Sequence, residues 1–287
     1  MTMIQDILFP VDFSPACVAM APFVQRAAAL CSAKVTLVHV FDPTAYSGFE
    51  LYVRSLPEVE EERRSLAQEK LCSFLTSEFP PDDNARALVC GDAAKQICEL
   101  ARERRFDLIV MPTHAGRFRR MLLGSTTAKV LDEADCPVMT TQHAGTIAPR
   151  PLEHREWVCA IGLTADSERV LRYANQAAAT FHANLSIIHA IPGDPGLPVR
   201  LDLEEEVQSA ERREARRRLD ELQRVVGSHA RTLVAIGPVK GAVLEAARRS
   251  GADALMIGRS PESGTFGRTR DLTYAVIRDA PCPVLSI

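Results

Sequence analysis

The chain has 287 residues, of which 46% are hydrophobic and 25% are charged, values typical of a globular protein of roughly two domains. Lys and Arg number 34 against 37 Asp and Glu, so the net charge of -3 offers no basic field for nucleic acid or an anionic membrane surface. No run approaches the ~18 apolar residues of a membrane span, and the first apolar run lacks the basic start of a signal peptide. We therefore expect a cytoplasmic protein with no nucleic-acid or membrane partner.

Five short apolar runs in the first half predict strands that are buried on both faces of a parallel sheet, because they are rich in β-branched residues. These runs are Ile4–Val11, Lys34–Phe41, Ala85–Cys90, Leu108–Met111 and Pro137–Thr141. Longer amphipathic stretches between them predict helices. Ser14-Pro15 is a favourable helix start, because the hydroxyl can cap free amides and proline fits the first turn. The following helices are predicted at Glu58–Phe79, Ala93–Arg104 and Ser125–Ala134.

The second half repeats this pattern. Gly91–Thr141 aligns without a gap on Gly237–Ile287, and Ile7–Asp12 is paired with Val158–Leu163. A fixed internal period of this kind indicates a duplicated domain. Helices are predicted in the second copy at Asp166–Phe181, Leu203–Val226, Val239–Ser250 and Thr269–Asp279.

Alternating strands and helices predict an α/β protein made of two tandem doubly wound open-sheet domains. Each domain is expected to have a five-stranded parallel sheet with helices on both faces. The predicted domains are 1–142 and 154–287, joined by a polar linker with two prolines at 143–153. Ligands of such sheets bind beyond the carboxyl ends of the strands, so the residues that follow each strand are the candidates for a site.

The eight cysteines are scattered through apolar segments without a CxxC pair, which favours reduced, buried thiols over a disulfide framework. The seven histidines form no HxxxH pair, so we predict no metal site. His39 and His189 recur at equivalent strand positions, which favours a structural histidine over a catalytic one.

The chain resembles the universal stress proteins in their tandem two-domain form. The resemblance covers nearly the whole sequence. It rests on the motifs ILFPVDFS at Ile7–Ser14, LVHV at Leu37–Val40, MPTH at Met111–His114 with LLGS at Leu122–Ser125, and CPV at Cys136–Val138 and again at Cys282–Val284. It implies an α/β domain with a central first strand, ATP binding in one branch of the family and none in another, and an internal pseudo-dimer of the two halves.

The nucleotide-binding branch carries a G-x2-G-x9-G-[ST] signature, in which glycines and a helix start face phosphate oxygens. The resemblance implies that Asp12 contacts ribose or adenine, that Val40 lines the purine, and that Gly124-Ser125 meets the phosphates. Pro112 and Ala115 replace the first two glycines, and one residue fewer than usual precedes Gly124. The implied set of cofactor-binding residues is Pro10, Val11, Asp12, Val40, Met111, His114, Ala115, Gly124, Ser125 and Thr126. The nearby cations that would compensate phosphate charge are Arg117, Arg119 and Arg120.

Plainer interpretations stand beside this one. Asp12 can serve as a cap of the first helix, and Gly124-Ser125 can be no more than a helix start. In the second copy Leu163 is expected at the position of Asp12, and Arg270-Asp271 at that of Gly124-Ser125, where an aspartate would repel phosphate. We therefore predict ATP, with Mg, in the N-terminal domain only.

The expected function is that of a stress-response regulator with no catalytic residues and at most weak ATP hydrolysis. The expected partners are the internal domain pairing, a homodimer and a protein partner of unknown identity. The alternatives are an interaction scaffold that binds no nucleotide and, least favoured, a nucleotide-dependent enzyme. The HxGH and SGGxDS phosphate motifs of such enzymes do not occur in the chain. Closure of the cleft by Pro112 and Ala115 would favour the interaction scaffold.

Overall fold

A computed structural model describes residues 4–42, 56–81, 84–113, 123–141, 155–193, 200–201, 210–259 and 268–287. The chain divides into two compact units, of which the first holds Met1–Val138 and the second holds Ala148–Ile287. The domain bounds stay a prediction, and the predicted linker at 143–153 lies outside the described residues.

The first half of the chain alternates strands and helices. In chain order the elements are β1 (Asp6–Pro10), α1 (Pro15–Cys31), β2 (Lys34–Phe41), α2 (Leu56–Ser73), β3 (Ala85–Cys90), α3 (Ala93–Glu103), β4 (Leu108–Pro112), α4 (Ser125–Glu133) and β5 (Val138–Thr141). The strand order is β3-β2-β1-β4-β5, and β1 pairs in parallel with β2 and β4. The order reverses beside β1, which therefore places a topological switch point at the carboxyl ends of β1 and β4.

The second half repeats the arrangement. Its elements are β6 (Glu156–Ala160), α5 (Ser167–Thr180), β7 (Asn184–Ile191), β8 (Arg200–Leu201), α6 (Ala210–Val226), β9 (Arg231–Ile236), α7 (Val239–Arg249), β10 (Ala254–Ile257), α8 (Arg268–Asp279) and β11 (Val284–Ser286). Strands β11-β10-β6-β7-β9 are neighbours in that order, with β6 paired in parallel to β7 and β10. The two-residue β8 was not predicted, and it pairs antiparallel with β9. The α/β fold class is confirmed in both halves.

An aspartate carboxylate fixes the start of the central strand in both sheets. The Asp107 carboxylate accepts hydrogen bonds from the amides of Gln5 and Asp6 at the start of β1. Asp253 does the same for the amides of Arg155 and Glu156 at the start of β6. These bonds satisfy backbone donors that have no strand partner, so each carboxylate fixes where its central strand begins.

Several predicted details are wrong. Helix α2 ends at Ser73 rather than Phe79, because Leu75 adopts a left-handed conformation with φ 50°. The Ser14 hydroxyl makes no capping bond to a helix amide and lies instead 3.8 Å from the Cys17 sulfur. Cys72 and Cys90 are exposed rather than buried. The other thiols are buried or partly buried. Among the described residues, no helix is long and apolar enough to cross a membrane.

Candidate functional site

A cleft of about 250 Å³ opens at the carboxyl ends of β1, β2 and β4 in the first unit. Eight of the ten predicted site residues line it, namely Pro10, Val11, Asp12, Val40, Met111, Gly124, Ser125 and Thr126. The other two, His114 and Ala115, lie outside the described residues, as does the predicted arginine cluster at 117–120. The structure thus brings together residues from four separate segments of the sequence.

Asp12 lies two residues after the end of β1 and is exposed. Its Oδ1 atom accepts hydrogen bonds from the Ser14 amide at 2.9 Å and from the Cys17 thiol at 3.1 Å. Both of these bonds end on Oδ1. Desolvation by burial is the largest influence and would raise the pKa of Asp12, but the hydrogen bonds from Ser14 and Cys17 together lower it. The carboxylate is therefore ionised at neutral pH, with one oxygen in the turn before α1.

Cys17 lines the same cleft, with its thiol in the protonated form at neutral pH. Burial, followed by the negative charge of Asp12, raises the pKa of its thiol to about 12. A thiol reacts through its thiolate, so Cys17 serves at neutral pH as a hydrogen-bond donor to Asp12.

His39 sits on β2 at the back of the cleft. Its Nδ1 atom is 2.7 Å from the Val11 carbonyl oxygen, which can only accept, so Nδ1 carries the proton. The imidazole ring also lies 4.3 Å from the ring of Phe13. In the second unit His189 Nδ1 makes the same bond to the Ile161 carbonyl at 2.7 Å. Both histidines thus make the same hydrogen bond to the backbone, and their structural rather than catalytic role stays a prediction.

The start of α4 lines the same cleft as Asp12. The Gly124 amide donates to the Thr113 carbonyl at 2.8 Å, and the Ala128 amide donates to the Gly124 carbonyl at 2.8 Å. Gly124 is the N-cap residue and has no side chain with which to cap the helix. The amides of the first turn have no partner within the helix, and they carry the positive end of its dipole. This end of α4 can therefore accept an anionic group.

Pro112 does not close the cleft. It ends β4 and lines the cavity, while its carbonyl accepts a hydrogen bond from the Thr127 hydroxyl at 3.0 Å. This bond ties the first turn of α4 to the end of β4. The missing amide of the proline therefore removes a possible donor to a ligand but leaves the cavity open.

The cleft also contains residues that sequence reasoning missed. Cys17, Ala93 and Ile97 line it from α1 and α3. Ile97 belongs to the apolar face of α3, and helical periodicity predicts only that this face is buried. Nothing in that pattern distinguishes contact with the core from contact with a ligand.

A second cleft, of about 340 Å³, occupies the equivalent place in the second unit. Matching the histidine bonds pairs Val11 with Ile161, so Gly162 stands at the position of Asp12 and Leu163 at that of Phe13. The predicted match of Leu163 to Asp12 is therefore wrong by one residue. Phe13 and Leu163 both have left-handed backbones, with φ 63° and 55°, which supports the corrected pairing.

The helix that borders the second cleft begins earlier than its counterpart. Helix α8 starts at Arg268, whereas the alignment pairs Ser125, the first residue of α4, with Asp271. Backbone amides after the first turn bond within their own helix. The amides of Ser125–Thr127, which have no partner within α4, thus correspond to amides at 271–273 that α8 uses itself. Among the described residues, no group of three or more His, Cys, Asp or Glu side chains could hold a metal.

Fold and clefts together define a duplicated α/β protein with a cleft at the carboxyl ends of the strands in each unit. A model of the universal stress protein family matches residues 3–142 and again 155–287. The chain therefore belongs to the universal stress protein family and is a tandem member of it.

Individual relatives agree with this assignment. Universal stress protein A homolog 1 of Coxiella burnetii is 27% identical over 146 residues, which cover 47% of this chain and 97% of that protein. A universal stress protein structure from Archaeoglobus fulgidus has a TM-score of 0.68 at 17% identity and covers 98% of this chain and 95% of that one. A functionally unknown protein from Pseudomonas aeruginosa has a TM-score of 0.65 at 18% identity, with 99% and 92% covered. At these identities the structural likeness shows the fold alone.

Proposed function

We propose that the first unit binds an adenine nucleotide, with ATP and Mg as the leading candidate, and that this binding regulates a stress-response protein. One observation carries the proposal. The cleft of about 250 Å³ assembles Asp12, Val40 and the start of α4 around one open space. An acidic acceptor, an apolar wall and an anion-accepting helix end match the three parts of a nucleotide.

Each part of the cleft has a distinct role in this proposal. Asp12 keeps Oδ1 in the turn before α1 and offers Oδ2 to ribose hydroxyls or an adenine amine, because a carboxylate only accepts. Val40 and Met111 pack against the purine. The first-turn amides of α4 and the Ser125 hydroxyl bind phosphate oxygens. Asp12 does not cap a helix amide of α1, and its bonds from Ser14 and Cys17 leave Oδ2 available to a ligand.

We expect at most slow ATP hydrolysis. Among the described residues that line this cleft, Asp12 is the one carboxylate, and it already accepts two hydrogen bonds. The neighbouring thiol of Cys17 has a pKa of about 12. Efficient hydrolysis needs groups that orient the attacking water and stabilise the charge on the transferred phosphoryl group, and among these lining residues there is no cation to do the latter. We therefore propose a regulatory role rather than a catalytic one. In this proposal the protein is cytoplasmic, its two domains pair as a pseudo-dimer, and two chains associate further as a homodimer.

The first test is mass spectrometry of small molecules released from freshly purified protein, followed by calorimetric titration with ATP and Mg. We expect about one adenine nucleotide per chain. Empty protein that also ignores added ATP would refute the proposal and would favour the interaction scaffold.

The variant Asp12→Ala locates the site. We expect it to weaken ATP binding by about tenfold or more, because a charged acceptor is lost. It should also lower the free energy of unfolding by about 1 kcal/mol, since Ser14 and Cys17 lose their acceptor. The matched control is Asp166→Ala, which removes a carboxylate from the second cleft and should leave ATP affinity unchanged. Equal effects of the two variants would place the nucleotide elsewhere.

A further inference from the structure

The second cleft differs from the first in both size and chemistry. Its volume is about 340 Å³ against about 250 Å³. Three equivalent positions carry smaller residues, with Gly162 for Asp12, Ala190 for Val40 and Gly258 for Pro112. These three exchanges remove side-chain atoms from the walls of the second cleft, whereas Val239 for Ala93 and Ile161 for Val11 add some.

Most of the walls of the second cleft are apolar. The apolar residues include Ile161, Val170, Ile188, Val243, Leu272 and Val276. Gly258 is required for this packing, because a Cβ atom there would lie 2.9 Å from Cγ2 of Val170. Apolar walls with few polar groups are the usual lining of a small-molecule site.

The polar atoms of the cleft disfavour an anion. Asp166 is the one charged residue among its described lining residues, and it is paired with Arg169 at 3.7 Å. The earlier start of α8 withdraws the helix amides that α4 leaves free. A phosphate in this cleft would lose its hydration and would gain neither a cation nor free amides among these residues.

Among the remaining polar groups, a ring nitrogen of His189 and the Asp166 carboxylate can accept a hydrogen bond from a ligand, while the hydroxyls of Thr164, Ser167 and Thr273 can both donate and accept. His189 donates from Nδ1 to the Ile161 carbonyl, so in the neutral ring Nε2 is an acceptor. The Ser167 hydroxyl oxygen accepts from the Thr164 amide at 2.9 Å. The Asp166 carboxylate only accepts. A complementary ligand therefore brings a hydrogen-bond donor and no negative charge.

We propose that the cleft of the second unit is a separate binding site for an uncharged, mainly apolar, ring-sized molecule that carries a hydrogen-bond donor. This site is independent of the nucleotide proposed for the first unit. The duplicated fold would then hold two ligands of different chemistry in equivalent places.

The test compares two probes with one aromatic skeleton. N-phenyl-1-naphthylamine is uncharged and has one N–H donor, and 1-anilinonaphthalene-8-sulfonate adds a sulfonate to it. Fluorescence titration of the full chain should show saturable binding of the uncharged probe at about one site. The sulfonate should weaken binding by about tenfold or more, since burying an unpaired charge is costly. Equal or tighter binding of the sulfonate, or no saturable binding of the amine, would overturn the proposal.

Two variants place the probe in the second cleft. Ala190→Phe and Thr273→Phe fill the cavity from a strand and from a helix, and each should weaken binding of the amine by about tenfold or more. Because the two substitutions lie on different elements, one variant still tests the proposal if the other folds poorly. Val40→Phe is the matched control at the position in the first unit equivalent to Ala190, and it should leave the affinity unchanged. Loss of binding in Val40→Phe alone, or displacement of the amine by saturating ATP, would assign the probe to the first cleft and overturn the proposal.

Discussion

A single added charge at the start of α4 should change stability and nucleotide binding in opposite directions. Ser125 is exposed and is the first residue of α4. Ser125→Asp places a carboxylate beside the free first-turn amides, where it interacts favourably with the helix dipole. That interaction is worth about 0.3 to 1 kcal/mol, so the melting temperature should stay constant or rise by about 1 to 3 °C.

The same carboxylate should repel a bound phosphate. Two unit charges about 5 Å apart repel by about 0.8 kcal/mol at the dielectric constant of water and by about 3 kcal/mol at an effective value of 20. Each 1.4 kcal/mol corresponds to about a tenfold change in affinity. We therefore expect Ser125→Asp to weaken ATP binding by between about fourfold and about 100-fold, with part of the loss recovered in high salt.

The assay is calorimetric titration with ATP and Mg at two salt concentrations, alongside thermal unfolding of the same preparations. Ser125→Asn is the matched control, because it has nearly the same shape as the aspartate and no charge. If the Asp and Asn variants bind ATP equally well, the phosphates do not lie at the start of α4. If the Asp variant is less stable than the original protein, the inference that the first-turn amides of α4 can interact with an anion is wrong.

Two further predictions concern the thiols and the packing of the second cleft. At pH 8 a disulfide reagent should rapidly modify the exposed Cys72 and Cys90. Cys17 should react only after unfolding, because its pKa of about 12 keeps the thiol protonated. Rapid labelling of Cys17 in a peptide map would show that its thiol is not buried and protonated. Gly258→Ala should lower the free energy of unfolding in urea by about 1 to 3 kcal/mol, because the added methyl group contacts Val170. In a Val170→Ala background this loss should fall by more than half. Simple additivity of the two substitutions would show that this contact is not the cause.

Sequence periodicity predicted most of the fold because its elements are strongly patterned. Strands β2 and β3 begin and end as predicted, at Lys34–Phe41 and Ala85–Cys90. The end of α2 was missed because a distant residue fixes it. The Arg86 guanidinium, on β3, donates to the carbonyls of Leu71, Phe74 and Phe79 at 2.9 to 3.0 Å. A local pattern contains no information about a partner on another element.

The error in matching the two copies has a related cause. A strand buried on both faces is a nearly continuous apolar run, and such a run shifted by one residue still looks like a buried strand. The match of Asp12 to Leu163 relied on that run. The bonds from His39 to Val11 and from His189 to Ile161 fix the register instead, and they depend on contacts between strands. Pattern alone therefore predicts that a strand exists better than it predicts which residue ends it.

The two units share the interactions that fix their fold and differ in the residues around their clefts. The histidine bonds, the carboxylates of Asp107 and Asp253 and the left-handed residues after β1 and β6 all recur with nearly the same geometry. The differences lie around the clefts, where Gly162 stands for Asp12 and α8 begins earlier than α4. The second cleft is nevertheless open, with a volume of about 340 Å³ against about 250 Å³, and Gly258 packs against Val170. An open and well-packed cavity with altered polarity therefore argues for a change of ligand in the second unit rather than for the loss of a site.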